Sequence, residues 1–314
     1  MPADENQSIW KTYFSDGPAF LSLTGLALIG SGAFALFLTF TEHFLPHDRV
    51  HLGFTAEELS LLAPNLVKFM FHDRAAFGGA LFSIGIIYLW IAEYPLRAKQ
   101  PWAWWTFVIS GIFGFGSFLS YIGYGYLDTW HGLATLVLMP LFILGLIKSK
   151  PQSNGKATFK EFSISPLKIP SFIKECGYAY LFLFFYTGGL ILGGISILVI
   201  GMTTVFVPQD IEFIQLCGYE ISELSPNLIP VIAHDRAGFG GGLLTTGITQ
   251  YLILLNANFS RSLWQTISLS GAIGFASAIG IHYYVGYTDL FHLSPALLGA
   301  LIFSIGIFLS RKYI

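Results

Sequence analysis

The chain has 314 residues, of which 54% are hydrophobic and only 11% are charged, whereas soluble domains are about 45–50% apolar. This composition excludes a soluble protein built around one buried core, and two cysteines are too few for a disulfide framework. The net charge is −2, and we expect the lipid bilayer, not a nucleic acid, to be the main partner.

Apolar runs recur along the whole chain, and a helix needs about 20 such residues to cross a bilayer. The first run follows a polar, acidic N-terminus, and its length predicts a retained span and not a cleaved signal peptide. The predicted fold class is all-α integral membrane protein with eight transmembrane helices. They cover about 18–41, 75–94, 102–124, 133–147, 178–206, 237–255, 263–284 and 293–309.

The distribution of Lys and Arg predicts the orientation of these helices, because cytoplasmic loops carry an excess of both. Six lysines lie between Lys148 and Lys174, in the loop between the two halves of the chain. We therefore expect a multi-pass protein of the cell (inner) membrane with both termini in the cytoplasm. In this topology all eight histidines lie at or near the outer face.

Two sequence blocks occur twice. "HDRAAFGG" at 72–79 returns as "HDRAGFGG" at 234–241, and "GYLDTWH" at 125–131 returns as "GYTDLFH" at 286–292. Four spans in each half would keep both copies in the same orientation, as in parallel membrane repeats. We predict a first four-helix repeat over 1–147, a cytoplasmic linker over 148–176 and a second four-helix repeat over 177–314, forming two tandem bundles.

The duplicated blocks bring imidazoles to the outer end of each predicted bundle. A b-type haem in a four-helix bundle needs two imidazoles from different helices. His72 with His131, and His234 with His292, meet this requirement. These four histidines are the predicted haem or metal ligands, and no catalytic residue is assigned.

Other residues of the blocks support such a centre. Carboxylates usually orient ligating imidazoles, and we assign this role to Asp73, Asp128, Asp235 and Asp289. Arg74 and Arg236 are expected to pair with an anion, such as a haem propionate. Glycines allow a neighbouring backbone or a flat ring to come close, and the predicted close-packing positions are Gly78, Gly79, Gly240 and Gly241.

An additional metal site is predicted in the first outer loop. His43, His47 and His51 are spaced four residues apart, which would place them on one face of a short helix, although Pro46 would affect where that helix begins. Sets of histidine and carboxylate suit zinc, iron or manganese. The second half has no histidine at the corresponding positions.

The placement of histidines near the outer ends of the second and fourth spans of each half resembles haem A synthase, which has eight spans in two similar four-helix bundles. The resemblance implies the architecture only, since Phe69 and Val231 stand where that family has a glutamate. The blocks "HDRAAFGGALFSIGIIYLW" and "GYGYLDTWHG" are also similar to those of a group of bacterial multi-span membrane proteins, a similarity that implies no particular chemistry.

Several functions follow from this pattern. We expect duplicated His/Asp/Arg sites at the outer face that bind haem b or a transition metal for redox chemistry, as in a membrane oxidoreductase. The expected protein partner is a redox partner or a second copy of the chain in a homo-oligomer. One alternative is a proton-coupled transporter of a small solute. Another is a non-catalytic membrane assembly protein. In a purely structural interpretation of the motif, the charged groups only cap helices and Asp73 pairs with Arg74.

Overall fold

The computed structural model describes residues 16–119, 129–151 and 170–314. This part of the chain contains twelve α-helices and no β-strand, which confirms the predicted all-α class for the described residues. The helices are α1 (Gly17–Phe40), α2 (Pro46–Leu52), α3 (Ala56–Leu62), α4 (Pro64–Ile91), α5 (Pro101–Leu119), α6 (Thr129–Ser149), α7 (Pro170–Met202), α8 (Pro208–Ile214), α9 (Gly218–Leu224), α10 (Leu228–Asn256), α11 (Arg261–Val285) and α12 (Leu290–Ser310).

Five helical segments of the described chain are long and apolar enough to cross a membrane. They lie in α1, α4, α7, α10 and α12, and the apolar part of α6, Thr135–Ser149, is shorter. This length and apolarity agree with the predicted membrane class. The five segments are Gly17–Phe40, Pro64–Leu96, Gly177–Met202, Leu228–Asn256 and Leu290–Tyr313.

Helices α4 and α10 form the centre of the molecule. In their most apolar stretches 78% and 67% of the residues are buried, against 28% in α1 and 22% in both α7 and α12. A helix that is buried on all sides belongs to the inside of a bundle. Accordingly, α4 packs against α1, α10 and α11, while α10 packs against α4, α5 and α7.

The two predicted repeats are interlocked. The third long helix of each half packs on the central helix of the other half, α11 on α4 and α5 on α10. Gly79 of α4 lies against Ser277 of α11, and Gly241 of α10 lies against Ser117 of α5. Small residues let two helix backbones approach closely. The halves therefore share their interior, whereas the sequence predicts two bundles one after the other.

The charged triplets lie inside the central helices and not at their starts. The predicted spans begin after the triplets, at 75 and 237, but α4 already begins at Pro64 and α10 at Leu228. The apolar run in the sequence is interrupted by His, Asp and Arg, which places the predicted boundary too late. The helices continue through the triplets because the charged side chains find partners in the other half.

Short helices carry further carboxylates to the ends of α4 and α10. Helices α2 and α8 begin with Pro46 and Pro208, and the fixed φ of proline suits the first helical position. Asp48 and Asp210 each accept a hydrogen bond from the backbone N–H three residues earlier, at 3.2 and 2.8 Å. These bonds hold both carboxylates at the helix starts.

The connection between the halves lies largely outside the described residues, as does the segment 1–15. Helix α6 ends at Ser149, and α7 is interrupted at Gly177, where φ is 57° and ψ is −149°. Glycine adopts such a backbone without steric cost. The apolar segment of α7 therefore begins at this residue.

Candidate metal centre

Each central helix contributes one buried arginine that contacts carboxylates from two other elements. Arg74 of α4 is 7% exposed. Its Nη2 donates to Asp48 Oδ2 of α2 at 2.8 Å and lies 3.5 Å from Asp235 Oδ2 of α10. An unpaired buried guanidinium costs several kcal/mol, so these carboxylates are what allow Arg74 to lie inside the protein.

Arg236 of α10 has the corresponding partners. Its Nη1 donates to Asp210 Oδ2 of α8 at 2.5 Å and to the Val205 carbonyl oxygen at 2.7 Å. Its Nε lies 3.3 Å from Asp73 Oδ2 of α4. The two sets are reciprocal, since each arginine contacts the aspartate of the other triplet.

This arrangement differs from two expectations. Consecutive residues of an α-helix point about 100° apart, and Asp73 contacts Arg236 instead of its neighbour Arg74. The alternative in which Asp73 and Arg74 pair within one triplet therefore does not describe the structure. The two arginines, predicted to bind an anion, contact carboxylates of the protein itself.

Three histidines from three helices form a cluster near Arg236. His72 Nε2 of α4 lies 3.0 Å from His282 Nε2 of α11, and the ring of His292 of α12 lies 5.3 Å from that of His282 between centroids. One ligand atom of each lies within 4.8 Å of the other two. In the part of the chain that the structure describes, these are the only His, Cys, Asp and Glu side chains that gather in this way.

The partners of the rings determine where their protons lie. His282 Nδ1 is 2.6 Å from the Ala278 carbonyl oxygen, which only accepts, so Nδ1 carries the hydrogen and Nε2 of the neutral ring carries a lone pair. His72 Nδ1 lies 3.2 Å from Asp73 Oδ1 without a hydrogen bond, so Nε2 of His72 can donate the hydrogen that His282 Nε2 accepts. A metal ion bound by both rings would replace this proton, with the hydrogen of His72 on Nδ1 beside Asp73.

Two carboxylates held by Arg236 flank the cluster. Asp73 lies beside His72, and Asp210 Oδ1 lies 3.8 Å from His292 Nδ1 and accepts a hydrogen bond from the Tyr287 hydroxyl at 2.8 Å. Such carboxylates orient metal-ligating imidazoles. The sequence prediction assigned this role near His292 to a different aspartate, Asp289.

The charges around Asp210 keep it ionised and keep Tyr287 protonated. Burial alone would raise the pKa of Asp210, but the charge and hydrogen bond of Arg236 bring that pKa below its usual value. Burial raises the pKa of the Tyr287 phenol well above its usual value, and the neighbouring Asp210 carboxylate raises it further. Tyr287 therefore serves as a hydrogen-bond donor to Asp210.

The dimensions of the cluster suit a single ion better than a porphyrin. At metal–nitrogen distances of about 2.0–2.1 Å, two ligands in line are about 4 Å apart and two tetrahedral ligands about 3.3 Å apart. The two Nε2 atoms of His72 and His282 are 3.0 Å apart, closer to the tetrahedral value. A haem iron with axial ligands on both sides of its ring does not fit between these two residues.

The structure brings two of the four predicted ligands together. His72 and His292 belong to the cluster, although the prediction placed them in different bundles. The side chain of His131, the expected partner of His72, lies outside the described residues. His234 lies elsewhere, with its Nδ1 3.0 Å from Asp235 Oδ1.

Of the four carboxylates predicted to orient histidines, the structure places two beside a histidine ring. Asp73 and Asp235 each lie beside the histidine that precedes them. Asp289 accepts a hydrogen bond from the backbone N–H of His292 at 2.7 Å. This bond caps the start of α12 and involves the backbone of His292, not its ring. Asp128 lies outside the described residues.

The four predicted close-packing glycines lie at helix contacts. A Cβ on Gly78 would meet Gly32 of α1 at 3.0 Å, and one on Gly240 would meet Leu198 of α7. Gly79 and Gly241 are the positions at which α11 and α5 cross the central helices. These residues set the distances between helices, and the contacts that the structure gives them are with protein.

The segment predicted to be the first outer loop does not place its three histidines on one helix. Helix α2 begins at Pro46, so His43 precedes it and its Nδ1 contacts the Thr41 carbonyl oxygen. His47 lies in α2 with Nε2 3.2 Å from Asp48 Oδ1, and His51 is also in α2. Because proline fixes the start of this helix at residue 46, the spacing of four residues does not place all three histidines on one helical face.

Sequence reasoning did not assign His282, Tyr287 or the two aspartates of the short helices. The repeat could have identified the two aspartates, because Asp48 and Asp210 are separated by the same 162 residues as His72 and His234. The repeat gives no such indication for His282, since the residue 161 positions earlier is Tyr121, which lies outside the described residues. A comparison of the halves therefore does not identify the third histidine of the cluster.

No protein-family model, curated protein or solved structure matches this chain.

Proposed function

We propose that this chain is an eight-span protein of the cell (inner) membrane, with both termini in the cytoplasm, that binds a transition-metal ion through His72, His282 and His292. Helices α5, α6 and α11 would complete the eight spans. The observation that carries the proposal is the approach of the Nε2 atoms of His72 and His282 to 3.0 Å. The hydrogen of His282 lies on Nδ1 towards the Ala278 carbonyl oxygen, which leaves Nε2 as a donor to a metal. His72 would bind the same ion through Nε2 with its hydrogen on Nδ1 beside Asp73.

The charge of the buried region also supports a cation. Two aspartates, Asp73 and Asp210, flank the histidines together with one arginine, Arg236. With neutral imidazoles these described residues leave an excess of one negative charge. A divalent ion at the three histidines would offset it.

The three imidazole ligands indicate which metals and which kind of metal site suit this cluster. Imidazoles suit zinc, copper, iron and nickel, and three protein ligands leave a fourth position for water or substrate, as in catalytic metal sites. Haem b is less well supported because of the short distance between His72 and His282. Transport by movement of one half against the other is also less well supported, because α4 and α10 are tied by reciprocal ion pairs.

Metal analysis of the purified full-length protein tests this proposal. We expect about one zinc or cobalt(II) per chain and, with cobalt, the intense visible absorption of a four-coordinate ion. His282→Ala should weaken binding by more than about 100-fold, because even the loss of an orienting carboxylate costs about 10–100-fold. His72→Ala should behave in the same way.

His43→Ala is the matched control, because His43 is exposed and lies outside the cluster. It should bind the metal as the unchanged protein does. Equal affinity of His282→Ala and the unchanged protein, or no retained metal at micromolar concentration, would overturn the proposal.

A further inference from the structure

A cavity of about 270 Å³ lies between α1, α4, α5, α6 and α10. None of the described residues that line it belongs to the His72–His282–His292 cluster, so it is a separate feature of the molecule. Its walls are mostly apolar, with Leu28, Phe77 and Leu81 among them. Its volume is close to the lower limit of small-molecule sites, about 300 Å³.

The cavity extends along the helices that line it. On α4 its lining runs from Arg74 to Tyr88, and these 14 residue steps correspond to about 21 Å along a helix at 1.5 Å per residue. On α1 the lining begins at Thr24 and reaches Leu38, a similar length. An extended single chain fits such a space, whereas a compact polycyclic ligand would leave much of it empty.

One wall of the cavity opens sideways. Phe34, which lines it, is 49% exposed, and Ser31 beside it is exposed as well. Both lie in the middle of Gly17–Phe40, a segment able to span a membrane. The opening therefore faces the region that lipid chains occupy, and a ligand can enter from the bilayer.

The polar end of the cavity selects the head of the ligand. Asp48, Arg74, His234 and Asp235 lie there, and the arginine is already shared between the two carboxylates. Among the described residues, these two carboxylates and one guanidinium leave a negative balance, which repels an anionic head. Carboxylates accept hydrogen bonds and do not donate them, so a hydroxyl or an ammonium group would complement this end.

We propose that the cavity binds a single-chain amphiphile from the bilayer, with its apolar chain along α1 and α4 and a hydrogen-bond-donating, non-anionic head beside Asp48 and Asp235. The ligand class is that of long-chain alcohols and amines. This site goes beyond the proposed metal centre and does not depend on it.

Photo-crosslinking of the full-length protein in lipid nanodiscs tests the inference. The probes are a sixteen-carbon alcohol, the corresponding amine and the corresponding carboxylic acid, each with a diazirine in the chain, and the labelled peptides are mapped by mass spectrometry. We expect labelling of α1, α4 and α10 by the alcohol, the amine or both, which unlabelled hexadecanol or hexadecylamine suppresses. Equal labelling by the acid, or labelling that does not saturate, would overturn the proposal.

Gly114→Leu is the test variant. A Cβ on Gly114 meets only Thr245, at 3.4 and 3.7 Å, so the larger side chain extends into the cavity without displacing backbone. Labelling should fall about tenfold, which corresponds to roughly 1.4 kcal/mol of binding free energy. Gly116→Leu is the matched control on the same helix, since nothing lies within 4 Å of its Cβ, and its labelling should not change.

A second variant covers the case in which Gly114→Leu does not fold. Tyr186 stands 162 residues after Thr24 and is buried, so Thr24→Tyr introduces at the inner end of the cavity a side chain that the other half already accommodates. It should also lower the labelling by the sixteen-carbon probes. Unchanged labelling in a folded variant of either kind would show that the probe binds elsewhere.

Discussion

Arg236 shows how a charged residue becomes part of the interior of this protein. Its guanidinium is buried and contacts one aspartate from α4 and one from α8. Each of these aspartates in turn lies beside a histidine of the candidate metal centre. The arginine therefore has two roles, since it neutralises buried carboxylates and also positions the groups that orient the imidazoles.

Arg236→Gln should lower the free energy of unfolding by about 3–5 kcal/mol, because it leaves buried Asp73 and Asp210 without their cation. Arg97→Gln is the control, since Arg97 is 40% exposed and pairs with Asp16 and Glu93 at the surface, where such pairs contribute about 0–1 kcal/mol. Unfolding by dodecyl sulfate in mixed micelles, followed by tryptophan fluorescence, measures both variants. Equal losses would contradict the assignment of Arg236 to a buried network.

At the level of the helices, α4 and α10 are positioned by their small residues. Glycine is a poor helix former in water, yet α4 carries glycines at 78, 79 and 85, and each lies against another helix. In a membrane, close packing between helices replaces the hydrophobic effect as the driving force for association. The cost of glycine in helix propensity is therefore offset by contacts with α1 and α11.

Gly79→Ala tests the contact between α4 and α11. The new methyl group would overlap the side chain of Ser277, and such overpacking typically costs about 1–3 kcal/mol. Gly30→Ala of α1 is the control, because nothing lies within 4 Å of its Cβ and the alanine gains up to about 1 kcal/mol of helix propensity. Both are measured by the same unfolding titration. A Gly79→Ala variant as stable as the Gly30→Ala variant would argue against this helix contact.

On the scale of the whole molecule, the packing of the two halves determines how the chain folds, and the distribution of Lys and Arg predicts its orientation in the membrane. The crossing of α5 onto α10 and of α11 onto α4 makes the two halves one unit. The excess of Lys and Arg in the segment between the halves predicts which side faces the cytoplasm. In this predicted orientation, the candidate metal centre and the polar end of the cavity lie in the outer half of the membrane.

The two cysteines test this orientation. Cys217 is exposed before α9, on the predicted outer side, and Cys176 lies in the predicted cytoplasmic linker. A membrane-impermeant maleimide should label Cys217 in spheroplasts, and Cys217→Ser should abolish the labelling, whereas Cys176→Ser should leave it unchanged. Labelling of Cys176 before the membrane is permeabilised would show that the orientation is reversed.

Part of this site was accessible from the sequence. The two HDR blocks identified His72, Asp73 and Arg236 as residues of interest, and the repeat offset also related Asp48 to Asp210. The predicted pairing of histidines within one half depended on the assumption that each half folds by itself. The partners of Arg74 and Arg236 show why that assumption misleads, because each arginine contacts an aspartate from the other half.

The sequence by itself determined the helical membrane class, since an apolar run of about 20 residues can cross a bilayer as a helix that satisfies its own backbone hydrogen bonds. It also determined which polar residues interrupt those runs. Only the tertiary structure decided which of these residues meet. The position of His282 beside His72 depends on α11 crossing from the second half onto α4 at Gly79. A linear pattern reports which face of a helix is small or apolar, but the choice of neighbour results from the packing of all helices together.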